Sequence, residues 1–520
     1  MKFRRNVITW EPRKERADVL LVYPPWVVLG FRGKLQRMLP PLGILSIASC
    51  LEAEGFEVHV VDCHAGEIGP DRFRAIVRKL RPRFVGISVL SAHYVPAHFI
   101  AKICKEEVPD TTVIAGGVHS EAHPEEMLRN PFIDAVCRGD GEATMGEVVR
   151  GLPREKIGGL SYRVGNAVRH NEPRPVEMEL DRYPLPAYHL IDFDDYFPPV
   201  SSYRALPAMN VLMTRGCPGK CTFCNSANTV LRSRSVDKLI ELLKTLRYEY
   251  GIRQIYFYDD TFTANKRAVK EFCRRMVEEK VDVSWICYVR GDMFNEEAAR
   301  MLSEAGCHQV LIGIESGSRT LMQAIGKPIQ HEIYHRTVAL AHRYGIEVRG
   351  SFIIGHADET AQTMQETLQF AMDLDLDLFQ LAIMTPYPGT QMFQKFKAED
   401  RLLHEDYSRY GQNELVFRLN HLSGEEVLRF ERHAFRKFYF RPRAVFRQLK
   451  RLRSLQMLRD LFTTFLIIFF ERFRKHGCVS EWEKWLEIDL DALLNREIRL
   501  PETPRLTFEV RQNIEEPVFH

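Results

Sequence analysis

Short apolar runs alternate with amphipathic stretches along most of the chain. Val19–Tyr23, Glu57–Val61, Phe84–Leu90, Thr112–Ala115 and Ile133–Cys137 read as strands, with helix-like segments such as Leu42–Glu54 and Val95–Glu107 between them. Five strand-then-helix units predict a parallel, doubly wound α/β sheet over residues 1–150. In such sheets ligands sit beyond the carboxyl ends of the strands, where the strand order reverses. The loops at that end span 24–37, 62–70, 91–95 and 116–123, the last opening on Gly116-Gly117.

Residues 151–204 read as a connector. It holds a short hairpin, GLSYRVGNAVRH, turning at Gly165-Asn166, and then a proline-dense stretch that breaks regular structure. A second βα series follows over 205–395. Its strands are Met209–Thr214, Gln254–Tyr258, Ser284–Val289, Val310–Glu315, Val348–Ile354 and Leu378–Met384. Six units over that length suggest a partial (β/α)6 barrel, with chemistry gathered at the carboxyl ends of its strands. From 396 to 520 the pattern is helical and basic.

Composition narrows the picture. The chain has 520 residues, 45% hydrophobic and 27% charged, with net charge +3. These are globular values, and they give no overall field for nucleic acid. No apolar run is long enough to span a bilayer, and the first residues lack a secretory pattern. Eleven cysteines without such a pattern point to the cytoplasm and to thiols used as metal ligands or buried apolar groups. Between Arg429 and Lys475 there are fourteen Lys/Arg against three acids, interleaved with aromatics. That pattern suits a peripheral membrane contact through 441–475, on the inner face of the membrane, or a helix packed on the barrel with solvated arginines.

The most specific motif is Arg215-Gly216-Cys217-Pro218-Gly219-Lys220-Cys221-Thr222-Phe223-Cys224, directly after the first barrel strand. Three thiolates on one loop can ligate three irons of a [4Fe–4S] cluster and leave the fourth iron open. Arg215 and Lys220 would supply positive charge beside it. A zinc site would need a fourth ligand at matching spacing, and no second CxxC is present.

C-x3-C-x2-C at the end of the first strand of a partial barrel resembles the radical S-adenosylmethionine enzymes. The resemblance covers roughly residues 205–395. It implies that Cys217, Cys221 and Cys224 hold the cluster. The open iron then binds S-adenosylmethionine, and its cleavage gives a 5′-deoxyadenosyl radical. By the same resemblance, Asp259 and Asp260 after the second strand face the methionine ammonium. Arg290 after the third strand suits a carboxylate, that of S-adenosylmethionine or of a plain salt bridge. Glu315 and Ser316 after the fourth face the ribose or the ammonium. Ile353 and Gly355 of the fifth face the adenine, with Asp358 standing as the acid of that motif and Ser351 replacing its first glycine. The turn Thr385–Thr390 either shapes the substrate mouth or only reverses the chain.

The amino-terminal domain is similar to the cobalamin (B12)-binding subgroup of that family. Tyr23-Pro24-Pro25, Ala115-Gly116-Gly117-Val118-His119 and Arg138-Gly139-Asp140-Gly141-Glu142 carry the similarity. It implies that Gly86, Ser88, Gly116 and Gly117 lie under a corrin. The loop after the first strand holds no histidine, so no protein histidine is expected on cobalt; Trp26, Val27 or His93 would pack near its lower face.

The function implied is methylation of an unactivated carbon of a hydrophobic, lipid-like or polycyclic substrate. Electrons would come from a donor such as flavodoxin or ferredoxin, and no nucleic acid takes part. Radical cyclisation without methyl transfer has the same layout, as in porphyrin cyclases of the subgroup. A non-catalytic cobalamin or iron–sulfur sensor and a zinc-stabilised scaffold remain alternatives from other classes.

Overall fold

The computed structural model describes residues 8–26, 38–198, 202–412 and 414–451, with isolated positions beyond. In the first unit β1 (Val19–Tyr23), α1 (Leu42–Ala53), β2 (Val58–Asp62), α2 (Pro70–Leu80), β3 (Phe84–Ser88), α3 (Tyr94–Glu107) and β4 (Thr112–Gly116) follow in turn. They are succeeded by the short helices α4 (Val118–Ala122) and α5 (Pro124–Arg129), then β5 (Ala135–Cys137) and α6 (Gly141–Val149). The strand order is β2-β1-β3-β4-β5, all parallel, so the reversal lies between β1 and β3. All five residues of β1 are buried, as a strand covered by helices on both faces requires.

The hairpin forms as read, from β6 (Leu160–Val164) and β7 (Ala167–His170), but it is not part of a connector. β6 pairs antiparallel with β5 and extends the first sheet to seven strands. Its apolar residues Leu160 and Tyr162 are buried and complete that edge.

The second unit begins with β8 (Ala208–Val211), a small ribbon of β9 (Thr214–Arg215) with β10 (Arg232–Ser233), and α7 (Val236–Lys244). It continues through β11 (Gln254–Phe257), α8 (Lys266–Glu278), β12 (Ser284–Val289), α9 (Glu296–Glu304), β13 (Cys307–Glu315), α10 (Arg319–Ala324) and α11 (His331–Arg343). The series closes with β14 (Glu347–Ile354), α12 (Ala361–Asp373) and β15 (Leu378–Ile383). The six strands pair in parallel and in chain order from β8 to β15, an open arc of a (β/α)6 barrel. Several helices start on side-chain caps: Ser235, Asn265, Asn295 and Thr360 each accept a hydrogen bond from the N–H three residues on.

Side-chain alternation decides what faces the barrel interior. On β14, Val348, Gly350, Phe352 and Ile354 are buried against helices, while Glu347, Arg349, Ser351 and Ile353 are half-buried on the other face. Phe257 and Trp285 pack outward with Phe262 and Phe272. Tyr256, Tyr258, Ile286 and Tyr288 therefore point inward. Leu39 joins Tyr256, Ile286 and Leu311 in a small apolar floor, and the Asn210 side chain donates to the Pro40 carbonyl at 2.8 Å.

α13 (Gln391–Ala398), α14 (Gly424–Tyr439) and α15 (Pro442–Arg451) complete the described chain. Buried Tyr407 wedges against Tyr94 and His119 of the first unit. Phe438 stacks on Phe379 at 4.8 Å, and α15 is tied to the loop before β15 by Arg443 and Arg447 on Asp375. These arginines are spent on the barrel, whereas Phe440 and Phe446 are more than half exposed. No described helix is long and apolar enough to cross a membrane. Most of the 441–475 segment past Arg451, including nearly all of the apolar run 461–470, lies outside the described residues.

Candidate functional site

Gly216 turns the chain from β9 into the cysteine loop with φ +93°. A Cβ there would sit 2.2 Å from the Val230 carbonyl oxygen, so only glycine allows the loop to close on its own return strand. Cys217, Cys221 and Cys224 are all half-buried, whereas six of the other seven described free cysteines are buried. The N–H of Gly219 donates to Cys217 Sγ at 3.4 Å, and Thr261 Oγ1 lies 3.5 Å from the same sulfur. Burial pushes the Cys221 thiol up, and the charges of Lys327 and Arg290 pull it back. Burial likewise raises Cys224, with the charge of Asp260 adding to it.

Among the described residues, no three His, Cys, Asp or Glu side chains converge as a single metal ion requires. A cubane does not ask for that convergence, because each thiolate binds a different iron. Three half-buried thiols on one glycine-rich loop, in the field of Arg290 and Lys327, fit the cluster better than zinc.

Asp259 does not face this loop as a ligand. It is 1% exposed, and its carboxylate accepts from the N–H of Met213 at 3.2 Å and from the N–H and hydroxyl of Thr214 at 2.5 and 2.6 Å. Burial lifts its pKa to about 6 against these hydrogen bonds. It braces the segment that delivers Gly216 and Cys217. The adjacent Asp260 is exposed, and its charge reaches Cys224.

Arg290 lies beside the loop; a Cβ on Gly219 would come within 2.9 Å of its guanidinium and 3.3 Å of Cys217 Sγ. Its carboxylate partner within the chain is Asp292, at 2.9 Å. Glu315 holds φ +66°, unusual for a residue with a side chain. It forms a buried ion pair with Lys327 at 2.6 Å, and Lys327 Nζ also donates to the Gly313 carbonyl. Ser316 points away from the barrel mouth: it is fully buried and lies 3.1 Å from Thr367 of α12, holding that helix to the turn.

Ile353 is half-buried on the inner face. Gly355, at φ +79°, donates its N–H to Glu359 Oε2 at 3.1 Å. The buried acid of this turn is Glu359 and not Asp358, which is exposed and bonded by Asn420. Burial pushes Glu359 up to about 7, opposed by hydrogen bonds from the Thr363 hydroxyl and the N–H groups of His356 and Gly355. Gly389 of the turn after β15 lies against Ala122 and Asn225, so that turn touches both the first unit and the cysteine loop.

In the first unit Gly86, Ser88, Gly116 and Gly117 line one cavity of about 260 Å³, with Leu21, Ile114 and Met145. That is below the roughly 300–1,000 Å³ typical of a whole-ligand pocket. The enclosed part therefore has room for one flat group. Its mouth is formed by Asp140, Glu142, Leu212 and Arg215. Arg215 does not reach toward the thiols as expected; it pairs with Glu142 at 2.6 Å and with Asp140 at 3.6 Å. Glu142 also accepts from Ser46 Oγ at 2.7 Å. His93 is fully buried against Tyr23, neutral because burial drives its pKa down to about 3. His64 accepts from the Trp26 N–H at 3.2 Å, and Val27 lies outside the described residues.

Lys327, Glu359, Arg349 and the two inward tyrosines Tyr258 and Tyr288 were not picked out as site residues from the sequence. Strand alternation could have placed the last three; nothing local marks Lys327.

A profile of the radical SAM superfamily matches residues 211–371, and one of the B12 binding domain matches residues 29–149. An uncharacterised methyltransferase of Pyrococcus horikoshii is 36% identical over 444 residues, covering 83% of this chain and 94% of that protein. The anaerobic magnesium-protoporphyrin IX monomethyl ester cyclase of Rubrivivax gelatinosus is 26% identical, covering 81% and 77%. The solved structure of the radical S-adenosylmethionine methyltransferase TsrM from Kitasatospora setae, with cobalamin and a [4Fe–4S] cluster bound, superposes with TM-score 0.60 at 20% identity. That match covers 74% of this chain and 75% of TsrM and shows the shared fold.

Proposed function

This chain belongs to the cobalamin-binding radical S-adenosylmethionine enzymes, and from that premise we propose that it methylates an unactivated carbon of its substrate. The observation that carries the reading is the placement of three half-buried thiols at the barrel mouth, joined through Arg215 to a glycine-lined slot in the first unit. When bound, the cluster supplies the electron that splits S-adenosylmethionine to a 5′-deoxyadenosyl radical, and cobalamin supplies the methyl group.

The residues of the chain bind, orient and exclude water. Cys217, Cys221 and Cys224 hold the cluster. Arg290 offers its guanidinium to the methionine carboxylate in competition with Asp292. Asp260 faces the ammonium, and Glu315, held by Lys327, offers its second oxygen to an ammonium or a hydroxyl. Ile353 lies against the adenine, with Gly355 fixed by Glu359. Gly86, Ser88, Gly116 and Gly117 take the flat base of the cobalamin tail. The electron donor is a small carrier such as flavodoxin or ferredoxin. The apolar and aromatic inner wall of Tyr258, Tyr288 and Ile353 supports a substrate with a hydrophobic body.

The test is anaerobic reconstitution followed by reduction with S-adenosylmethionine labelled in its methyl group. The reading expects one cubane and one corrin per chain, 5′-deoxyadenosine, and label recovered with the corrin. Cluster, corrin and deoxyadenosine with no methyl label on corrin or product would favour cyclisation, the reaction named for the Rubrivivax relative. One equivalent of zinc with little iron would end the reading.

A further inference from the structure

Arg349 stands on the inner face of β14, with Leu311 of β13 and Leu378 of β15 as its strand partners. It is half-buried. Among the described residues its guanidinium has no ion pair or hydrogen bond. Glu347, two residues earlier on the same face, is engaged by Arg204 at 3.1 Å and by Gln309 at 3.2 Å. Tyr288 on β12 and Tyr258 just after β11 stand two and three strands along the same arc, with ring centroids 6.1 Å apart and planes inclined at 74°. Both are over a third exposed although they sit inside the arc. Their exposure is therefore to the barrel interior. Burial raises the pKa of both phenols, and the charge of Arg349 works against that rise in each. Gln380, exposed on the inner face of β15, pairs in register with Ser351, the next inward residue after Arg349.

A guanidinium without a partner inside a protein is unfavourable unless something anionic is delivered to it. Its fork matches the two oxygens of a carboxylate or a phosphate. Leu39, Ile286 and Leu311 form an apolar cluster on the inside of the same arc, and Leu311 is the β13 partner of Arg349, so the inner face is charged at one place and apolar beside it.

We propose that Arg349 is the receptor for an oxyanion, a carboxylate or phosphate, on a substrate whose flat apolar body rests against Tyr258 and Tyr288. This deepens the function proposed above and rests on it: the substrate is an amphiphile, not a wholly hydrophobic molecule. The oxyanion fixes which carbon is presented to the mouth of the barrel.

The test uses benzoate, phenyl phosphate and the neutral benzamide as probes. They are titrated calorimetrically into the reconstituted full-length protein. Both anions should bind at least about tenfold more tightly than benzamide, the discrimination expected of a charge-assisted pair. Arg349→Gln should abolish that preference with iron content and thermal midpoint unchanged, and Arg349→Lys should restore part of it. Equal binding of benzoate and benzamide by the unmodified protein overturns the assignment, as does an anion preference that survives Arg349→Gln. Deoxyadenosine formation is measured in parallel. Its absence alongside intact anion preference sinks the radical reading and not the receptor; its presence without any preference does the reverse.

Discussion

Replacing Asp259 by asparagine separates two roles that the sequence alone left together. The carboxylate takes three hydrogen bonds from Met213 and Thr214. Asparagine keeps one acceptor oxygen, which suits Thr214, and turns an amide N–H2 toward the N–H of Met213. A buried donor left without an acceptor costs about 1–3 kcal/mol. Against this, a carboxyl raised to about 6 is ionised in its buried site at a cost of roughly 3 kcal/mol relative to the unfolded chain, and asparagine removes that cost. The two terms nearly cancel, so the thermal midpoint should move by less than about 5 °C. The local consequence does not cancel. The segment released is the one that sets Gly216 and Cys217, and the variant should retain clearly less than a full complement of iron after reconstitution and desalting. Iron and sulfide analysis with visible absorption reads this, beside a thermal melt. If Asp259 instead bound the methionine ammonium, the variant would keep its iron and lose only affinity for S-adenosylmethionine. Full iron with weakened S-adenosylmethionine binding would refute the brace.

Three further outcomes follow from the same geometry. Lys327→Met strands Glu315 as a buried charge and should cost about 3–5 kcal/mol in urea unfolding; adding Glu315→Gln should recover most of it, and a double variant no better than the single would sink the pairing. At Gly116 a Cβ meets Cys137 Cβ only at 3.6 Å, so Gly116→Val fills the slot without breaking β4, and reconstituted protein should lose corrin while keeping iron; unchanged corrin content rejects the slot. Glu359, raised to about 7 from an ordinary 4.5, contributes stability that is present below pH 4.5 and lost as pH rises through 7, on the order of 3 kcal/mol in all. Unfolding free energies at pH 5.5 and 7.5 should differ less in Glu359→Gln than in the unmodified protein, and identical slopes would contradict the buried-acid assignment.

The two series of strands were legible because both faces of a parallel sheet are covered, which leaves uninterrupted apolar runs such as Val19–Tyr23. β12 occupies the residues that its pattern marks, Ser284–Val289. The thiols were legible from spacing alone, since one loop brings them together whatever the rest of the fold does. Side-chain direction at the strand ends was not. Asp259 and Asp260 are adjacent and chemically alike, yet one is sealed behind β8 and the other is exposed. Only the neighbouring strand decides which. Ser316 turned to α12 because Gly317 lets that helix approach to where a Cβ would meet the Glu366 carbonyl at 2.6 Å, a contact 50 residues away in sequence. Asp358 and Glu359 exchanged roles by one position for the same reason: the turn at Gly355 aims the second acid inward.

The same long-range logic explains why Arg215 belongs to the joint and not to the cluster. An arginine two residues from a cysteine ligand would add positive charge to an anionic cofactor. Here Glu142 and Asp140, at the start of α6, claim it instead, and Asp140 also takes Arg232 of the return strand β10. The ribbon that carries the cysteine loop is thereby clamped at both strands to the rim of the glycine-lined slot. Under the reading proposed above, the cysteine loop and the glycine-lined slot would have to keep a fixed relation for the two cofactors to act on one substrate. A joint made of one apolar surface would slide. Two arginines on two carboxylates, one pair with both partners largely out of water, define both distance and orientation, and Ser46 adds a bond from α1 to the same carboxylate. The charge that the motif brings beside the cysteine loop is therefore used to set the position of the loop, and Arg290 and Lys327, distant in sequence, supply the positive field at Cys221 in its place.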